Sequence, residues 1–223
     1  EGQLHQPVGI LQGRYRPLAQ IGGHGIGNGA VGRFHQSGGT SRWNVVHINQ
    51  GTLTVTNNAR LEMGRGSTAH NKNIYMFNGS ALNVQAGGEI VGLGTSGQRQ
   101  ILVAEDPGAT GVVTMTGGRI DFTDAHGDSG VYLGTAMYGP ANGAGVGIFN
   151  MSGGFGVLRN LNVGYSTGGR GIATLSGGTL SVYADNVYVG YGSGSWGGAY
   201  TANGTLDFSS ITNDRMVKVS QTT

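Results

Sequence analysis

Apolar and polar residues alternate along this chain in runs of four to six, and the runs recur in a fixed order. GVVTMTGGRIDF at 111–122, GIFNMSGGFGVLRNLNVG at 147–164 and GIATLSGGTLSVYADNVYVG at 171–190 display the unit most plainly. Alternation with a period of two predicts strands with one face buried, because successive side chains of a strand point to opposite sides. Each unit has three parts. A short alternating strand ends in a small polar residue and Gly. A GTLxV-like strand follows, at 39–43, 51–55, 79–84, 118–122, 154–158, 178–182 and 204–208. A V-x-V-G-like strand closes the unit, at 46–49, 61–64, 91–94, 131–134, 161–164, 187–190 and 217–220. The inward residues predicted for the closing strand include Val46/Ile48, Leu61/Met63, Val91/Leu93, Val131/Leu133 and Leu161/Val163.

The closing strands start 15, 30, 40, 30, 26 and 30 residues apart. One turn of a three-sided β-solenoid takes three short strands and three bends, about 20–30 residues, and repeats of this length mark stacked architectures. The predicted fold is all-β: a parallel, three-sided β-solenoid of about seven coils, roughly 34 Å long at the usual strand spacing. The interval of 15 is read as a unit that has lost or remodelled its first strand. A β-sandwich competes with this reading, but it predicts hairpins rather than three parts in constant order. Residues 1–28 hold Pro7, Pro17 and the apolar cluster Val8, Ile10, Leu11, Leu18 and Ile21. They are predicted to form an N-terminal cap or assembly arm on a solenoid domain of residues 29–223.

Composition narrows the classes. Gly supplies 46 of 223 residues, about three times average usage, which disfavours helices at about 1 kcal/mol per interior position. The glycines keep no every-third pattern and Pro numbers only 4, so a collagen helix is excluded. No run of 18 apolar residues occurs, so no membrane-spanning helix is predicted. With no Cys, neither disulfides nor thiolate metal sites exist. Thirteen Lys and Arg against 11 Asp and Glu leave a net charge of +2, scattered rather than striped, so nucleic acid is not an expected partner.

The pattern SGGTLxV, a spacer, V-x-V-G and a Gly-rich link resembles the repeats of autotransporter passengers and of large exported bacterial proteins of the PEP-CTERM type. Residues 29–220 carry the resemblance. It implies a right-handed parallel β-helix, export to the cell surface or medium, and a structural, adhesive or carbohydrate-related role. It implies no catalytic residues and no cofactor. A first residue of Glu1 rather than Met is read as a processed or excerpted chain, an export signal already removed being one form of that processing.

A solenoid exposes unpaired strands at its ends, which invite pairing with another chain. The final strand at 216–220 is read as uncapped, so the expected partner is a second copy stacked head to tail. Leu206, Phe208, Val217 and Val219 would form that assembly edge. The predicted function is a self-assembling extracellular filament, sheath or surface layer.

The alternative is a carbohydrate-binding adhesin or phage-fibre-like module, and more remotely a polysaccharide-cleaving β-helix enzyme. The aromatics Tyr132, Tyr188, Tyr191, Trp196 and Tyr200 would stack on sugar or fill a subunit interface. Tyr132 and Tyr188 are expected to share an outward row with His47, Glu62, Asn162 and Lys218. In IDFTDAHGDSG, Asp121, Asp124 and Asp128 are weak candidate oxygen ligands for Ca²⁺, though neither an EF-hand nor a GGxGxD repeat is present. No pair of carboxylates suits glycoside hydrolysis, and no enzyme activity or cofactor is predicted. Thr52, Thr54 and Thr56 start an outward hydroxyl row that Asn83, Asp121, Ser181 and Asp207 are expected to break.

Overall fold

The computed structural model describes residues 2–6, 19–21, 31–64, 73–125, 127–135, 145–182, 187–190 and 203–207. All regular structure among them is β, and every strand pairing is parallel. The chain runs in repeated passes. The first holds β1 (Gly2–Gln6) and β2 (Ala19–Ile21), and the second β3 (Gly32–Ser37), β4 (Thr40–Trp43) and β5 (Val46–Ile48). Then come β6 (Thr52–Thr56), β7 (Arg60–Met63) and β8 (Ile74–Met76), followed by β9 (Ser80–Val84), β10 (Glu89–Gly92) and β11 (Gln100–Val103). Two passes open with a long bent strand: β12 (Thr110–Asp121) before β13 (Gly130–Leu133), and β14 (Val146–Leu158) before β15 (Asn160–Val163). β16 (Arg170–Leu175), β17 (Thr179–Val182) and β18 (Val187–Val189) make the next pass, and β19 (Asn203–Asp207) begins another.

Each pass lays its strands on those of the pass before, producing three faces. Face 1 stacks β1, β3, β6, β9, the first halves of β12 and β14, β16 and β19. Face 2 stacks β4, β7, β10, the second halves of β12 and β14, and β17. Face 3 stacks β2, β5, β8, β11, β13, β15 and β18. This all-β, all-parallel arrangement is compatible with a β-solenoid. The core runs between the faces as rows of like residues. On face 1 the row is Phe34, Leu53, Leu82, Val113, Phe149, Ala173 and Leu206; on face 3 it is Val46, Ile74, Ile101, Val131, Leu161 and Val187.

The bend from face 1 to face 2 explains the recurring Gly-Gly pairs. Gly39, Gly118, Gly154 and Gly178, each the second Gly of its pair, have positive φ of 67°, 69°, 89° and 82°. A Cβ on Gly118 would lie 2.3 Å from the Gly88 carbonyl oxygen, and one on Gly154 2.6 Å from that of Gly117. The bends sit directly on one another, so both the backbone angle and the close approach require glycine.

The strand assignment differs from the sequence reading in a systematic way. Residues 52–56, 80–84 and 203–207 belong to face 1, not to the second part of the unit. Residues 60–63 and 89–92 belong to face 2, so 61–64 and 91–94 are not closing strands. The closing strands of those passes are Ile74–Met76 and Gln100–Val103. Along face 3 the aligned residues Ala19, Val46, Ile74, Ile101, Val131, Leu161 and Val187 are 27, 28, 27, 30, 30 and 26 residues apart. The pass of β6, β7 and β8 keeps all three strands, and the interval of 15 disappears. The inward residue of β10 is Ile90, while Val91 faces outward. Strands β1 and β2, within residues 1–28, register with faces 1 and 3.

Candidate functional site

The outward rows of the three faces differ in chemistry, and they locate the candidate site residues. The outward row of face 3 is His47, Tyr75, Leu102, Tyr132, Asn162 and Tyr188. Glu62 is not part of it, because β7 lies on face 2. Most of the row is covered: Tyr75, Leu102 and Tyr132 form a second apolar cluster, with Val45, Phe77 and Tyr165 packed against it. His47 meets Tyr75 and Phe77 edge-on at 5.1 and 5.3 Å, and Tyr132 meets Tyr165 edge-on at 4.9 Å. Tyr132 also donates its hydroxyl to the Asp128 carbonyl at 2.8 Å. Its ring and its polar tip are both engaged within the chain, leaving no open platform for a sugar. Tyr188 is half-buried. Tyr191, Trp196 and Tyr200 lie outside the described residues.

Amides tie the entry to face 3 together. Asn73 donates from Nδ2 to the Tyr75 hydroxyl and to Gln100 Oε1, both at 3.2 Å, and its Oδ1 accepts from the Gln100 backbone N–H at 3.1 Å. Asn160 donates to the Gly127 carbonyl at 2.8 Å. Beside them Arg99 is fully buried. Its Nε donates to the carbonyls of Leu93 and Met63 at 3.0 and 3.2 Å, and its Nη1 to those of Ser96, Gly97 and Gln98 at 3.2, 2.7 and 3.1 Å. Burial holds its guanidinium below the usual arginine range. Arg99 pins the bend between faces 2 and 3 by donating to carbonyls of the turn and to that of Met63 in the preceding pass, which also accepts from the Leu93 N–H at 3.1 Å.

Face 2 carries the charge. Glu62 accepts from Arg42 at 2.5 Å and from Arg60 at 3.0 Å, and Arg60 reaches Glu89 at 2.7 Å. Asp121 pairs with Arg119, whose Nε donates at 2.9 Å and whose guanidinium lies 5.3 Å from the centre of the Phe155 ring. Burial pushes the Glu62 carboxyl up, but hydrogen bonds and charge from Arg42 and Arg60 outweigh it, so Glu62 ionises below its ordinary range. Burial likewise raises Asp121, and the Thr123 and Arg119 hydrogen bonds with the Arg119 charge bring it below the usual range. Asp121 therefore works in an ion pair. Asp124 is exposed, and Asp128 accepts from Gln98 at 3.2 Å. Among the described residues no three His, Asp or Glu gather as a metal-binding group.

Face 1 is open and nearly uncharged. One outward row is Arg33, Thr52, Ala81, Val112, Ile148, Ile172 and Thr205, and beside it runs His35, Thr54, Asn83, Thr114, Asn150, Thr174 and Asp207. Asp121 and Ser181 lie on face 2 and do not interrupt the second row. Asn83 and Asp207 do stand in that row, with Asn150, so the hydroxyl ladder is not sustained, as the sequence reading expected.

Of the predicted assembly edge, Leu206 is described and packs half-buried against the core. Phe208, Val217 and Val219 lie outside the described residues. Sequence reasoning missed Tyr75, Leu102, Phe77 and Arg99. A spacing of 27–28 residues counted from Val46 would have located Tyr75 and Leu102. Among the described residues no helix is long and apolar enough to cross a membrane. No known protein family, curated protein or solved structure matches the chain.

Proposed function

We propose that the chain is an extracellular structural protein: a right-handed parallel β-helix of about seven coils whose subunits stack head to tail into a filament, sheath or surface layer. The observation that carries this reading is the loss of cover toward the first and last described passes of the stack. Leu158, Leu161, Val163 and Ala173 are at most 1% exposed, yet their partners one pass later, Val182, Val187, Val189 and Leu206, are only partly covered, Val189 being 48% exposed. At the other end Trp43, on the first described strand of face 2, is partly buried, whereas its neighbour Met63 is sealed. Among the described residues, β4 at one end and β17, β18 and β19 at the other thus carry apolar side chains that a further pass would cover. A second copy in the same register supplies that pass, and such a heterologous contact propagates when it does not close into a ring.

The test is negative-stain electron microscopy of the purified protein across a concentration series, with Val189→Lys alongside. The expected result is filaments from the native chain and short rods from the variant, with unchanged β circular dichroism. Isolated rods from the native chain at every concentration would refute the reading and direct attention to carbohydrate as the partner.

A further inference from the structure

We infer that the outward side of face 1 is a lateral packing surface for the same face of a second copy. It is a different surface from the stack ends, and the pairing holds whether or not subunits join end to end. Three observations carry it. First, the outward row of face 3 is covered by its own chain and the charges of face 2 are paired, whereas the rows of face 1 stay half-exposed from Thr52 to Asp207. Second, the chemistry excludes other common occupants. Ala81, Val112, Ile148 and Ile172 make an aliphatic strip beside the amides and hydroxyls of Asn83, Thr114, Asn150 and Thr174. Between Thr52 and Thr174 the rows carry no aromatic ring to stack on a sugar and no charge to hold a polyelectrolyte, and His35 stands one pass before Thr54. Arg33 and Asp207 stand at opposite ends of the rows, and Arg170 at the margin.

Third, the geometry suits a copy of itself. The rows step at the parallel strand spacing of about 4.8 Å, so any partner with the same repeat is commensurate over its whole length. A copy related by a two-fold axis along the aliphatic strip sets strip against strip, with Thr and Asn flanking it. This is the arrangement of two sheets meeting through identical small side chains. Six strands at that spacing and about five residues of width give roughly 500 Å² per copy, or about 1,000 Å² for the pair. That area lies at the lower limit for a specific interface, so the expected contact is weak between single subunits. It becomes strong when many subunits are already aligned, because successive contacts are then intramolecular.

The experiment is sedimentation velocity in a Val189→Lys background, which removes end-to-end stacking as a source of association. To that background Ile148→Lys or Thr114→Lys is added on face 1, or Thr179→Lys on face 2 as the control. Both face 1 positions point outward, so circular dichroism should match the parent. The expected result is concentration-dependent dimerisation of the parent, weakened about tenfold or more by either face 1 lysine and unaffected by Thr179→Lys. A parent that remains monomeric up to about 1 mM overturns the inference, as does association indifferent to both face 1 lysines. Adsorption of a monomeric parent to insoluble polysaccharide or to growing ice, lost in Ile148→Lys, also overturns it and assigns the face to that ligand.

Discussion

The stacked bends between faces 1 and 2 make a sharp quantitative prediction, because two glycines with the same backbone angle sit in opposite surroundings. Gly108 has φ +71° and nothing within 4 Å of a Cβ built on it. Gly118 has φ +69°, and its Cβ would fall 2.3 Å from the Gly88 oxygen and 2.4 Å from the Gln85 oxygen. Alanine at either site adopts a left-handed conformation at a cost of about 1–2 kcal/mol, offset by about 0.4–1 kcal/mol from the less flexible unfolded chain. Gly108→Ala should therefore cost about 1 kcal/mol. Gly118→Ala must also displace two backbone oxygens that already accept hydrogen bonds, Gly88 O from the Arg119 N–H at 2.8 Å and Gln85 O from the Gly88 N–H at 2.9 Å. Overpacking adds about 1–3 kcal/mol and weakening two backbone bonds about 1 kcal/mol each, so Gly118→Ala should cost about 4–6 kcal/mol. Urea unfolding followed by circular dichroism reads the difference as a midpoint about 1 M lower for Gly118→Ala than for Gly108→Ala, with unchanged slope. Equal midpoints would refute the claim that the bends are in stacking contact.

Three further outcomes follow from the faces. Leu102 is fully buried on the outward side of face 3, so Leu102→Ala should cost about 2–5 kcal/mol, while Leu93→Ala, at a partly exposed position, should cost well under half of that; the reverse order in thermal melts would restore the sequence-based alignment. Tyr132→Phe should cost only about 0.5–1 kcal/mol by urea titration, because the Asp128 carbonyl that loses its hydroxyl donor keeps one from Gln100 at 3.0 Å. Glu62 and Asp121 ionise below their unfolded values, so their contribution is full above the ordinary carboxylate range of about pH 4 and is lost as pH falls through the lowered folded values. Glu62→Gln should flatten that acid limb in a pH series of melting temperatures, and an unchanged acid limb would show that the Arg42–Glu62–Arg60 cluster contributes nothing.

Strand content, parallel stacking and the role of glycine at the bends were legible in the sequence, because each has a local cause: a period of two, repeated order, and positive φ. Which strand belongs to which face was not. All three faces share one period, and Leu61-Glu62-Met63-Gly64 imitates a closing V-x-V-G although it lies on face 2. The true closing strands of those passes lack the closing glycine. Ala104 occupies the slot that Gly134, Gly164 and Gly190 fill in later passes, with φ 66° against 70°, 79° and 70°. Phe77 takes the same slot one pass earlier and turns its ring to His47 and Tyr75. Arg99 was invisible for another reason: its partners are backbone carbonyls, which carry no sequence signature.

The segregation of the outward rows bears on how such a protein can assemble. A stack with identical faces would offer three equivalent directions for lateral contact, and a regular array needs fewer. Here face 2 consumes its charges internally through Arg42, Glu62, Arg60, Glu89, Arg119 and Asp121, so approach from that side gains little beyond exchanging screened pairs for others. Face 3 has already buried Tyr75, Leu102 and Tyr132 against its own chain, so its apolar surface is largely spent. What remains among the described residues is one face whose charges stand at its ends and margin, and the partly covered first and last passes. If both contacts form, growth along the stack and across face 1 are orthogonal, and the weak lateral contact is recruited only after the ends have aligned many copies. Paired or ribbon-like filaments, rather than bundles of indefinite width, are the form this distribution of chemistry favours.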